Sequence, residues 1–146
     1  MTGLFGWLPG RRAAARRRAH ARRKGLGGLE FALAELGHEL ERLAQLSHTT
    51  ERDDAAAVAR ETTTTARILE VLARGERFAS ELPNDEAAKA WRALAADATK
   101  ARLLGQGPHR AAKLEIAAAQ CEKLQQFVSR EISELEGLSE RPTRSA

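Results

Sequence analysis

Acidic residues are missing from the first 29 positions, tyrosine is missing altogether, and aromatic side chains make up only 4% of the chain. Too few aromatic and β-branched residues remain to cover the faces of a sheet, so a β-rich core is excluded. One cysteine, Cys121, rules out an intramolecular disulfide and suggests a reducing compartment. The longest stretch without charge is the first ten residues, too short to span a bilayer. No Gly-rich phosphate loop, serine-hydrolase elbow or Cys/His metal spacing occurs.

What is abundant is alanine, nearly half of a hydrophobic class that is 42% of the 146 residues, together with Leu, Glu and Arg. These are the strongest helix formers. The composition predicts an all-α protein, a three- or four-helix antiparallel bundle with heptad, coiled-coil-like seams and an N-terminal basic arm.

The net charge of +4 is unevenly spread. Eight of the 24 basic residues (Arg11, Arg12, Arg16, Arg17, Arg18, Arg22, Arg23 and Lys24) lie within 14 positions, with His20 among them. Sixteen basic and all 20 acidic residues follow, which leaves the body at −4. Ahead of the basic run is an apolar head, Met1 to Gly10, carrying Leu4, Phe5, Trp7 and Leu8. A secretory signal has the opposite order, basic before apolar, and Thr2 excludes N-myristoylation. A mitochondrial presequence needs an amphipathic helix, whereas these basic side chains fall all round a helical wheel. The expected organisation is residues 1–28 as head plus a flexible basic arm, 29–138 as helical bundle, and 139–146 as a loose tail.

Within the body, Leu26, Leu29, Leu33, Leu36, Leu40 and Leu43 follow at spacings of three and four, the signature of a helix–helix seam. Leu29 to Leu43 are the candidate helix–helix interface. Gly37 falls beside that seam and would admit a close neighbour. A second helix is predicted from an N-cap near Thr50, with Ala55, Val58, Thr62, Thr65, Leu69 and Leu72 facing inward. This stripe is out of phase with the first, which favours a break between Ser47 and Thr50; with no Gly or Pro between His38 and Arg74, one long helix through both segments is the alternative. Gly75 and Pro83 predict an irregular stretch. A third helix, capped by Asn84 or Asp85, turns Ala87, Trp91, Leu94, Ala98 and Ala101 inward, and Gly105-Gln106-Gly107-Pro108 stops it. A fourth runs from about His109 to Glu136 with Leu114, Ala118, Cys121, Gln125, Val128, Ile132 and Leu135 on one stripe. Large side chains are scarce for such a bundle, so completion of the core by a second copy is expected.

Several chemistries can be weighed on these residues. Glu35-Leu36-Gly37-His38 is the Glu-x-x-His used in pairs by di-iron bundles, but no second copy exists and both residues point away from the seam. No metal or cofactor is therefore expected. Cys121 lies on an inner stripe, where cysteine behaves as a small hydrophobe with a raised pKa. Thr62 to Thr65 offer hydroxyls without a base and are expected to bond back along their helix. The expectation is a non-catalytic binding or assembly protein.

Eight uncompensated charges imply an anionic partner. Head and arm together supply the two weak signals that hold a protein on an anionic leaflet, which places it in the cytoplasm at the inner face of a membrane. The alternatives are sequence-indifferent nucleic-acid binding, with Phe5 or Trp7 stacking on bases, and docking into an acidic groove of a larger assembly. The head and its basic flank resemble the N-termini of bacterial peripheral membrane proteins of the phage-shock type; the body departs from them in lacking a very long hairpin.

Overall fold

A computed structural model describes residues 9–48 and 54–140. Among these the chain forms four helices: α1 (Pro9–Ser47), α2 (Ala55–Ser80), α3 (Glu86–Arg102) and α4 (Pro108–Glu140). Proline opens both long helices, where its missing N–H has no partner to lose. Asp54 caps α2, its side chain accepting from the Ala56 N–H at 2.9 Å. Asp85 caps α3 in the same way, accepting from the Ala87 N–H at 3.0 Å. Asn84 just before it takes a left-handed φ of 62°, which short polar side chains tolerate. Gly107, at φ 144°, turns the chain from α3 into α4 in a conformation open to glycine.

Contacts order the helices as a square. Numbers rise along α1 as they fall along α4, from the Arg23–Glu136 and Glu30–Ser129 pairs at one end to His48–Glu115 at the other. The same inversion relates α1 to α2 through Glu35–Arg74 and Glu39–Arg67. α3 closes the square between α2 and α4 and touches α1 across the diagonal. Each helix is antiparallel to the next, as short connections dictate.

The six leucines of the row, Leu26 to Leu43, are at 0% exposure. With α2, α3 and α4 all in contact with α1, the row is filled from within one chain, and its leucines present no surface to a second copy. The inward residues read from the sequence of α3 are all buried, and on α4 only Gln125 and Leu135 of the expected stripe are half-buried instead. The α1 row meets alanines of α3 and α4 in one cluster around Trp91. A Cβ on Gly37 would stand 3.3 Å from that of Cys121, so the two backbones run close there.

Three expectations change. Residues 9–28 are not a separate arm; they belong to the same helix as the leucine row. On α2 the inward face is Thr64, Ile68, Val71, Gly75 and Ala79, whereas Val58 and Leu69 are 52% and 48% exposed. The sequence places the stripe one residue late because Leu69 and Leu72 outweigh Ile68 and Val71 when glycine counts as a breaker. Gly75 instead lies inside α2, which continues to Ser80, and Asp54 rather than Thr50 caps it; Thr50 lies outside the described residues.

Gly75 is a notch. A Cβ there would sit 2.0 Å from Cζ2 of Trp91, whose ring occupies the space. Gly75→Ala therefore destabilises the protein by about 1–3 kcal/mol through overpacking, although alanine is the better helix former by about 1 kcal/mol. Gly137→Ala, with nothing within 4 Å of the new Cβ, stabilises by about 0.5–1 kcal/mol. Urea unfolding of the two variants should give shifts of opposite sign.

Candidate functional site

From Gly10 to Ala21, α1 has no buried residue: all are exposed except Ala13 and Ala14, which are half-buried. This segment, from Pro9 to Ala21, is roughly 20 Å long at 1.5 Å per residue. Five of the eight basic residues lie on it and three directly follow, and the eight divide into two groups. Arg11, Arg12, Arg16, Arg17, Arg18 and Lys24 are exposed and have no acidic partner among the described residues. Arg22 and Arg23 are spent on the fold.

Arg22 continues the leucine row one turn beyond Leu26, where the core ends. Its Nε donates to Asp85 Oδ2 at 2.8 Å and its Nη2 to Glu131 Oε2 at 3.3 Å. One guanidinium thus joins α1 to the capping residue of α3 and to α4. The Asp85 hydrogen bond, reinforced by the charges of Asp85 and Glu131, raises the Arg22 pKa further above its ordinary value against the opposing effect of burial. Arg23 donates from Nη2 to Glu136 Oε1 at 2.6 Å. The sequence could not separate these two from their neighbours, because their partners lie 63 to 113 residues away.

At about 100° per residue the charges make three rows around the helix: Arg11, Arg18 and Arg22; Arg12, Arg16 and Arg23; Arg17 and Lys24. Only alanines and His20 separate them, so no face of the exposed segment is apolar in the way an interfacial helix requires. Leu4, Phe5, Trp7 and Leu8 lie outside the described residues.

The other candidates have structural partners. Glu35 takes Arg74 Nη1 on both carboxylate oxygens at 3.1 Å, and His38 is exposed beside Arg42. Among the described residues no three His, Cys, Asp or Glu side chains gather as a metal site. Thr62 and Thr63 donate to the carbonyls of Val58 and Ala59, one turn earlier. A polar cluster that the sequence did not reveal ties the opposite end of the bundle. Arg110, 6% exposed, donates from Nε to Ser47 Oγ at 2.8 Å and from Nη2 to Glu61 Oε1 at 2.6 Å. Nothing local distinguishes Arg110 from the other arginines of the chain.

Burial pushes the Cys121 thiol from its ordinary 9.0 up to about 12, with a smaller push from Glu41 and an opposing backbone hydrogen bond. No helix among the described residues is long and apolar enough to cross a membrane. Compared with known proteins, the chain matches no protein family, no characterised protein and no solved structure.

Two outcomes follow from this division. Arg22→Ala should cost about 1.5–3 kcal/mol, the range for hydrogen bonds to charged groups, whereas Arg16, Arg17 and Arg18 to Ala should each stay within about 0.5 kcal/mol; thermal unfolding separates them. Cys121 should resist alkylation until the protein unfolds. Its unfolded thiol ionises first, so the stability it contributes is intact below pH 9.0 and lost as pH rises towards 12. Denaturation of the protein and of Cys121→Ala across that window measures the loss.

Proposed function

We propose that this is a non-catalytic helical binding and assembly protein that attaches to an anionic membrane leaflet through its N-terminal end. The observation that carries the proposal is the pairing pattern of α1: Arg11, Arg12, Arg16, Arg17, Arg18 and Lys24 have no acidic partner among the described residues, while their neighbours Arg22 and Arg23 are paired. Those of the six on the side facing an anionic surface would contribute about 1 kcal/mol each. Charge of this kind holds a protein durably only with a second, apolar signal. Leu4, Phe5, Trp7 and Leu8 stand next to the basic segment in sequence and supply it. The site is then at the inner, cytoplasmic face of a membrane. The helical body would carry the attached cargo or assembly.

A second reading is favoured by the three basic rows. A planar leaflet meets one side of a rod, whereas the groove of a nucleic acid presents phosphates on two sides, so charge all round the helix also suits sequence-indifferent binding through counterion release.

The two partners use the head differently. Replacing Leu4, Phe5, Trp7 and Leu8 with Ser should weaken binding to phosphatidylglycerol vesicles strongly even at low salt. Replacing Arg16, Arg17 and Arg18 with Ala should reduce vesicle binding in proportion to charge and flatten the salt slope of any oligonucleotide binding. Co-sedimentation with vesicles and anisotropy with a mixed-sequence oligonucleotide, each at two salt concentrations, make the comparison. Salt-sensitive oligonucleotide binding without vesicle binding reverses the order of the two readings, and binding to neither removes both.

A further inference from the structure

A different group of arginines converges instead of diverging. Between the C-terminal half of α1 and the N-terminal half of α2 lies a groove of about 490 Å³, lined by Arg42, Arg60 and Arg67 with Gln45, Leu46 and Thr63. Elsewhere in the bundle arginines dock on carboxylates: Arg22, Arg23, Arg74, Arg92 and Arg110 each reach one at 2.6–3.2 Å. The three in the groove do not. Nη1 of Arg42 and Nη1 of Arg67 both stand 4.0 Å from the same oxygen, Glu39 Oε1, beyond hydrogen-bond reach. Glu39 is only 8% exposed, and its second oxygen has no hydrogen-bond partner. Among the described residues Arg60 has no acidic partner at all, and neither Arg60 nor Arg67 donates a hydrogen bond.

Among the described residues no acidic one lines the groove, so three guanidiniums stand there without a carboxylate among its walls; Glu39, towards which Arg42 and Arg67 lean, lines the adjoining groove with Glu35 and Glu70. Leu46 and the aliphatic stems supply an apolar floor. A tetrahedral dianion offsets this excess of positive charge, and its oxygens accept the paired N–H groups that guanidinium presents. The volume is that of a small-molecule site.

We propose that this groove binds a small phosphate monoester or inorganic phosphate, held by Arg42, Arg60 and Arg67. The site is independent of the basic N-terminal segment, since Arg42 lies 24 residues beyond Arg18 on the same helix, roughly 36 Å away at 1.5 Å per residue.

Calorimetric titration of the full chain with inorganic phosphate and with phenyl phosphate, at ionic strength fixed by chloride, tests it. Saturable one-to-one binding is expected. Arg60→Gln and Arg67→Gln should each weaken it at least tenfold, and Arg11→Gln with Arg12→Gln should leave it unchanged. Arg60 has no ion-pair partner among the described residues, so its variant should keep the helical circular dichroism and melting point of the parent. Absence of heat beyond the chloride control, binding insensitive to the groove variants, or loss only in the N-terminal variant would overturn the proposal. Binding confined to phosphatidic acid vesicles, with none to phenyl phosphate, would also overturn it and return the phosphate chemistry to the lipid surface.

Discussion

The packing of one leucine row against alanine-faced helices is the constraint from which the rest of this structure follows. Burying a leucine stabilises a fold by about 1.5–3 kcal/mol, and alanine has far less surface to bury. Leu26, Leu29, Leu33, Leu36, Leu40 and Leu43 are six of the largest buried side chains, and they all belong to α1. Ala79, Ala87, Ala88, Ala98, Ala101, Ala117 and Ala118 share their cluster. Neighbours so small must approach closely if the leucines are to touch them, since a void forfeits contact on one side. Close approach in turn explains Gly37 against Cys121 and Gly75 against Trp91, where even a methyl group would crowd the neighbour.

Alanine faces slide easily, because small side chains interdigitate weakly, and the register of this bundle is set by polar contacts at its ends. Arg22 fixes α1 against the start of α3 and the late turns of α4, and Asp85 divides its oxygens between that guanidinium and its own capping bond. At the opposite end Arg110 fixes α4 against the last turn of α1 and the second turn of α2. Guanidinium suits both places because its planar fork serves two partners at once. The composition thus has a structural logic: the core is apolar but weakly shaped, and directional bonds outside it supply the register.

Periodicity was informative where one residue type dominated. The α1 leucines and the α3 stripe around Trp91 are legible because no competing stripe exists. The cap at Asp85 and the stop at Gly105 to Pro108 are legible because their chemistry is local. α2 offers two apolar stripes a residue apart, and the choice between them rests on Gly75, whose role depends on a tryptophan sixteen positions later. The same limit hides the sorting of the arginines. Local sequence gives Arg18 and Arg22 equal standing; only the distant Asp85 and Glu131 turn one into a structural residue and leave the other exposed.

Continuity of α1 joins the basic segment to the core through an intrinsically weak stretch. Gly25, Gly27 and Gly28 fall within four positions of that helix, each costing about 1 kcal/mol relative to alanine. Two of the three are demanded by packing, Gly25 by Leu82 and Gly28 by Phe78. A helix end beyond such a stretch would fray, because few backbone bonds remain to oppose the entropy of the freed residues. The ion pairs of Arg22 and Arg23 lie immediately N-terminal to the glycines and anchor the helix on the far side of them. Pinning at that point carries helical order past the end of the core, and with it the spacing of Arg11 to Arg18 around the helix. The two charges withdrawn from the surface therefore fix the geometry of those that remain on it.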